Sequence, residues 1–160
     1  MIKSKHFLLL LWFVLLVGEV FSQNGIVARK GLSAKQKTIE ILREEYPSAF
    51  QEDINESVVP KDKEEVYGEA WKEFLQNLGS YLSKNGMKWE DNGKIYNIIF
   101  VESNGTIDYY FYRFKNPSVP SKKQVKQFRA LVKKYISTHS FNYTANRQYN
   151  QCGSVTFVDR

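Results

Sequence analysis

Residues Tyr96–Phe114 read YNIIFVESNGTIDYYFYRF. Two runs of β-branched and aromatic residues flank Asn104-Gly105. That dipeptide signals a tight hairpin, because a two-residue type I′ turn needs positive φ at both central positions. With that turn, Phe100 pairs with Tyr109, Ile98 with Phe111 and Tyr96 with Arg113. On the other side Ile99 meets Tyr110, Asn97 meets Tyr112 and Ile95 meets Phe114. Side chains alternate along a strand, so these pairs form two separate surfaces. Both are apolar, whereas a small sheet with one layer of helices needs only one. The purpose of the second surface decides both the fold and where to look for function.

Working outward, a helix is expected over about 63–84. Val66, Ala70, Phe74, Leu75, Leu78 and Leu82 recur mostly at three- and four-residue steps, and Glu64, Glu65 and Glu69 sit in the early turns, where the helix dipole favours acids. Asn85-Gly86 stops it. After the hairpin, Asn116-Pro117 ends the second strand. Ser121-Lys122-Lys123-Gln124 is a capping-box pattern opening a helix to about Ile136. Val125, Phe128, Leu131, Val132 and Tyr135 form its apolar stripe. A final strand is expected at 153–158. Upstream, Ser33 caps a helix over 34–46 that Pro47 ends. Residues 23–31 read as a loose start and 48–62 as a connector. The fold class is α+β: a small antiparallel sheet, made of the hairpin and a C-terminal strand, with helices on one face and an extra N-terminal helix.

The first 22 residues have the form of a signal peptide. Lys3 and Lys5 precede the apolar run Phe7–Val17, and Val20-Phe21-Ser22 offers a cleavage site. The run is too short to span a bilayer. The expected organisation is therefore a leader at 1–22, an N-terminal helix and connector at 23–62, and an α+β domain at 63–160. Without Lys3, Lys5 and Glu19 the net charge falls from +6 to +5. A basic exported protein suits acidic proteins, glycans or lipid headgroups, and export argues against nucleic acid. Cys152 is the single cysteine, so no internal disulfide braces the chain.

Chemistry is sparse. His139 is the one histidine after the leader, and it sits 13 residues from Cys152. One His and one Cys do not make a zinc site, and Glu90-Asp91 lacks the ligand spacing of a calcium loop. There is no phosphate-cradling glycine loop. No catalytic residue, metal or cofactor is assigned. The strongest charge feature is the third helix, where Lys122, Lys126, Arg129 and Lys133 are candidates to contact an anionic partner.

From the second helix onward the chain resembles the C-terminal domain of TonB and similar domains of bacterial envelopes. The resemblance rests on Asn77-Leu78-Gly79-Ser80-Tyr81-Leu82 ending the helix, on Gly93-Lys94-Ile95, on Asn104-Gly105-Thr106-Ile107 with the family's glycine-to-glycine spacing, and on Ser154-Val155-Thr156-Phe157. It covers about residues 66–158. Leu82 stands where the family has proline, and Asn97 occupies an inward apolar position. The preceding region lacks a Pro-rich spacer and an anchor, so a free periplasmic or secreted protein is expected rather than an energy transducer. The resemblance implies no catalysis and binding by strand addition. Apolar count alone favours burying the Tyr96, Ile98, Phe100, Tyr109 and Phe111 face; the resemblance implies the reverse, with Ile95, Ile99, Val101, Tyr110 and Tyr112 toward the helices and a bulge near Asp108 turning Ile107 to the same side.

That register leaves Ile98, Phe100, Tyr109 and Phe111 on the helix-free side, as a candidate contact patch. Its cover is, in order of preference, the chain's own segment 32–60, another protein or extended peptide of the cell envelope, or a second copy forming a homodimer. Peripheral membrane contact is compatible with the basic helix. The functional expectation is an exported, non-catalytic protein- or peptide-binding module. The alternatives are a secreted ligand-binding or inhibitor-type module using the aromatic sheet face and, third, a hydrolase.

Overall fold

The computed structural model describes residues 24–51, 53, 57–89, 93–115 and 120–159. The leader at 1–22, the Glu90-Asp91 pair and the Asn116-Pro117 stop lie outside them. Strands β2 (Gly93–Val101) and β3 (Ile107–Phe114) form the hairpin. All six expected pairs are present, from Phe100 opposite Tyr109 to Ile95 opposite Phe114.

The turn differs from the type I′ expectation. Gly105 has φ +87, but Asn104 is not among the residues with positive φ. Glu102 N–H donates to Thr106 O at 2.8 Å, and Gly105 N–H to Glu102 O at 2.9 Å. The loop is thus the three residues Ser103-Asn104-Gly105, with glycine in the left-handed position. The extra residue is offset by a bulge: Ile107 faces Val101, Tyr109 faces Phe100, and Asp108 is left between them. Loop and bulge each shift the register by one and cancel, which is why the pairs beyond Phe100 match. Gly105 is required twice over, since a Cβ there would also lie 2.4 Å from the Phe141 carbonyl oxygen.

Two more strands complete an antiparallel sheet of order β1-β3-β2-β4. β4 (Tyr149–Phe157) runs the full length of β2 and starts four residues earlier than expected. β1 (Asn24–Ala28) pairs with β3 from Asn24–Arg113 to Ala28–Tyr109. It comes from the stretch read as a loose start. Five residues that include Asn24 and Gly25 carry a weak strand signal, yet Gly25 has a packing reason: a Cβ there would lie 2.7 Å from the Tyr112 hydroxyl. β1 thereby ties the 23–62 segment into the sheet of the 63–160 region.

Helices α2 (Glu64–Lys84) and α3 (Lys122–Thr138) lie on one face. They bury Ile95, Ile99, Val101, Ile107, Tyr110, Tyr112 and Phe114 in the main core. Phe128 of α3 sits fully buried among the rings of Trp89, Tyr110, Tyr112 and Phe114, at centroid distances of 5.2–6.3 Å. Such edge-on clusters are favoured by the ring quadrupoles. On α2, Tyr67 faces the core where Val66 was expected, and Val66 is 60% exposed. The inward Asn97 donates from Nδ2 to the Gly153 carbonyl of β4 at 3.1 Å, while its Oδ1 has no hydrogen-bond partner.

The opposite face is not helix-free. Helix α1 (Ile39–Glu45) lies over it, with Leu42, Tyr46 and Ala28 closing a second core on Ile98, Phe100, Tyr109 and Phe111. α1 is shorter than the 34–46 expected. Thr38, not Ser33, is its N-cap, because Gln36 adopts φ 65 and breaks any earlier turn. The helices therefore flank both faces, and the hairpin strands are the two central strands of the sheet. Central strands covered on both sides read as continuous apolar runs.

Candidate functional site: the β1 edge and the basic face of α3

The sheet has two outer strands, β1 and β4. An outer strand presents backbone N–H and C=O groups that another chain can use. β4 is partly closed by the chain itself. Ser48 bridges to Asn150, Ala49 N–H donates to Asn150 O at 2.9 Å, and Asn150 N–H donates to Pro47 O at 2.8 Å. Beyond that bridge β4 carries Cys152, which is exposed and lies beside the Tyr96 hydroxyl.

Along β1 no other strand pairs with the outer edge among the described residues. There the chain turns away through residues 29–34, and α3 runs alongside. Between them lies a groove of about 340 Å³. Val27, Ala28, Leu32, Ser33 and Ala34 line it from β1 and the loop after it, and Arg129, Ala130 and Lys133 line it from α3. The loop is held to the end of α3 by Lys30 N–H donating to Ser137 Oγ at 2.9 Å.

The capping box makes this helix face legible from the sequence. Ser121 Oγ accepts from Gln124 N–H at 3.3 Å, and Gln124 Oε1 accepts from Ser121 N–H at 2.8 Å, which fixes where α3 starts. From that start Lys122, Lys126, Arg129 and Lys133 fall on one stripe at helical spacing, and all four are exposed. Arg129 and Lys133 line the groove, and Lys122 and Lys126 continue the stripe toward the N-terminus of α3. Arg129 is close enough to Tyr112 to oppose the upward shift that burial imposes on the phenol.

The second set of candidates behaves differently. Ile98 and Phe100 are wholly buried, and Tyr109 and Phe111 are 6% and 5% exposed. The surface expected there is core, because segment 28–46 covers it. The aromatic-face ligand site would need the same surface. His139 and Cys152 are not brought together either. His139 caps α3 with its ring stacked on Tyr135 at 4.2 Å, while Cys152 stands opposite Ile98 on the side of the sheet that α1 covers.

One constellation is not visible from sequence spacing. Tyr46, at the C-cap of α1, reaches Glu102 Oε1 at 3.1 Å and Asp108 Oδ2 at 3.0 Å. Arg29 donates to Asp108 Oδ1 from Nε at 3.0 Å and from a terminal nitrogen at 2.9 Å. The bulge aims Asp108 at this cluster. The signal that could have found it was an acid in the middle of an apolar strand, next to a proposed bulge.

No protein-family model matches the chain, and comparisons with curated proteins and with solved structures find no match. Among the described residues, no helix is long and apolar enough to cross a membrane.

Proposed function

We propose that this is an exported, non-catalytic binding module, periplasmic or secreted, built on a plan like that of the TonB C-terminal domain. It binds an extended, acidic segment of another envelope protein by adding it as a strand outside β1. The groove carries this reading. It sets an outer strand, several apolar residues and two cationic side chains side by side at one place. Strand addition draws affinity from main-chain hydrogen bonds and specificity from alternate side chains. An added strand that alternates apolar and acidic residues would set the first beside Ala28, on the α1 side of the sheet, and the second on the α3 side, toward Arg129 and Lys133. Support for the family plan comes from the order α2, hairpin, α3, β4, from the bulge at Asp108, and from Gly93 and Gly105 at the ends of β2 and of the loop.

The test is fluorescence anisotropy with a labelled eight-residue peptide alternating valine and glutamate. Binding should weaken as salt rises, since exposed charges are screened. The double variant Arg129→Ala, Lys133→Ala should lose affinity on the order of tenfold, the scale of two exposed charge contacts. Equal binding of a valine–lysine peptide, or no loss in the double variant, would contradict the proposal. Binding only to anionic vesicles would replace the peptide with a lipid surface.

A further inference from the structure

The Tyr46 cluster poses a proton-counting problem. A phenol carries one proton, and Tyr46 Oη lies within hydrogen-bonding distance of two carboxyl oxygens. If Glu102 and Asp108 are both ionised, only one of those contacts has a proton. The other sets two oxygens together with none between them. One added proton completes the chain: a protonated Glu102 donates to Tyr46 Oη, and Tyr46 donates to Asp108 Oδ2. The proton belongs on Glu102 because Arg29 already donates twice to Asp108. Burial, with the neighbouring Asp108, also raises the Glu102 carboxyl above its ordinary value.

Position turns this cluster into a device. Tyr46 is the last anchor of a seven-residue helix, and its ring sits edge-on to Phe100 at 5.7 Å and to Tyr109 at 6.4 Å. Helices this short have little stability of their own and depend on tertiary contacts. The charged groups around the cluster are Arg29 after β1, Glu102 after β2 and Asp108 in β3. Lys37, before α1, lies 5.8 Å over the Tyr109 ring and is paired with Glu45. We propose that Tyr46, Glu102 and Asp108 form a proton-operated latch that fastens α1 over the second face of the hairpin, closed when Glu102 is protonated and loosened when it is not.

The sign follows from linkage. A carboxyl raised by folding contributes its extra stability below its unfolded value, and that contribution fades as pH climbs through the folded value. α1 should therefore open more readily at neutral than at mildly acidic pH. The measurement is amide hydrogen exchange of Leu42 and Tyr46 between about pH 4.5 and 7.5, corrected for intrinsic exchange. Wild-type protection should fall several-fold across that range, while amides of α2 and α3 stay constant. Glu102→Gln, whose amide donates at every pH, should hold protection high and flat. Tyr46→Phe keeps the ring and should give low, flat protection. A flat wild-type profile, or a profile in Glu102→Gln that still falls, would overturn the proposal.

Discussion

The two faces of the hairpin are covered in different ways. One lies under α2 and α3, helices of 21 and 17 residues, and its core is a continuous cluster of rings. The other lies under seven residues of α1, and its rim is the polar cluster of Arg29, Tyr46, Glu102 and Asp108. Equal apolarity on the two faces does not mean equal stability. The first face holds the fold, while the second depends on a short cover fastened at few points.

The largest effect should come from the first face. Phe128→Ala removes the ring at the centre of the cluster and should cost about 3–5 kcal/mol by urea denaturation. On the second face, Leu42→Ala should cost less, about 2–3 kcal/mol, because a short cover can collapse into the space. Its signature should be faster exchange confined to α1. A Leu42→Ala loss equal to that of Phe128→Ala, spread over all amides, would mean that the two faces unfold as one.

Next, Gly105→Ala should cost about 1–3 kcal/mol. It forces a left-handed residue against the Phe141 carbonyl and loosens the hairpin loop that both faces share. Ser121→Ala should cost about 1 kcal/mol through the lost α3 cap, and thermal melts would show it. Smallest of all, Arg129→Ala with Lys133→Ala should change stability by no more than about 0.5 kcal/mol, as expected for exposed side chains.

Much of this architecture was legible in the residues. Period-two alternation gave the hairpin pairs, and helical spacing with caps and stops gave α2 and α3. Four features were not legible, each for a physical reason. β1 is a short outer strand whose glycine answers to Tyr112 rather than to strand propensity. The turn chemistry of Asn104-Gly105 fits two loop lengths, and the Asp108 bulge cancels the difference. α1 starts later than its apolar spacing suggests, because Gln36 with positive φ interrupts the helical run. The Tyr46 cluster joins residues 56 and 62 positions apart, which no local pattern encodes. The basic stripe on α3 was readable, but its neighbour was not, since the groove exists only once β1 is in the sheet.

The surplus apolar face of the hairpin is internal core, and the proposed binding belongs to the β1 edge beside α3. Titrating isotope-labelled protein with the valine–glutamate peptide, while following backbone amide resonances, separates the two surfaces. Shifts should be confined to Asn24–Ala34 and to the Lys126–Lys133 turns of α3, and should diminish as salt is added. Shifts centred on Ile98, Phe100, Tyr109 and Phe111, or along the outer edge of β4, would contradict it.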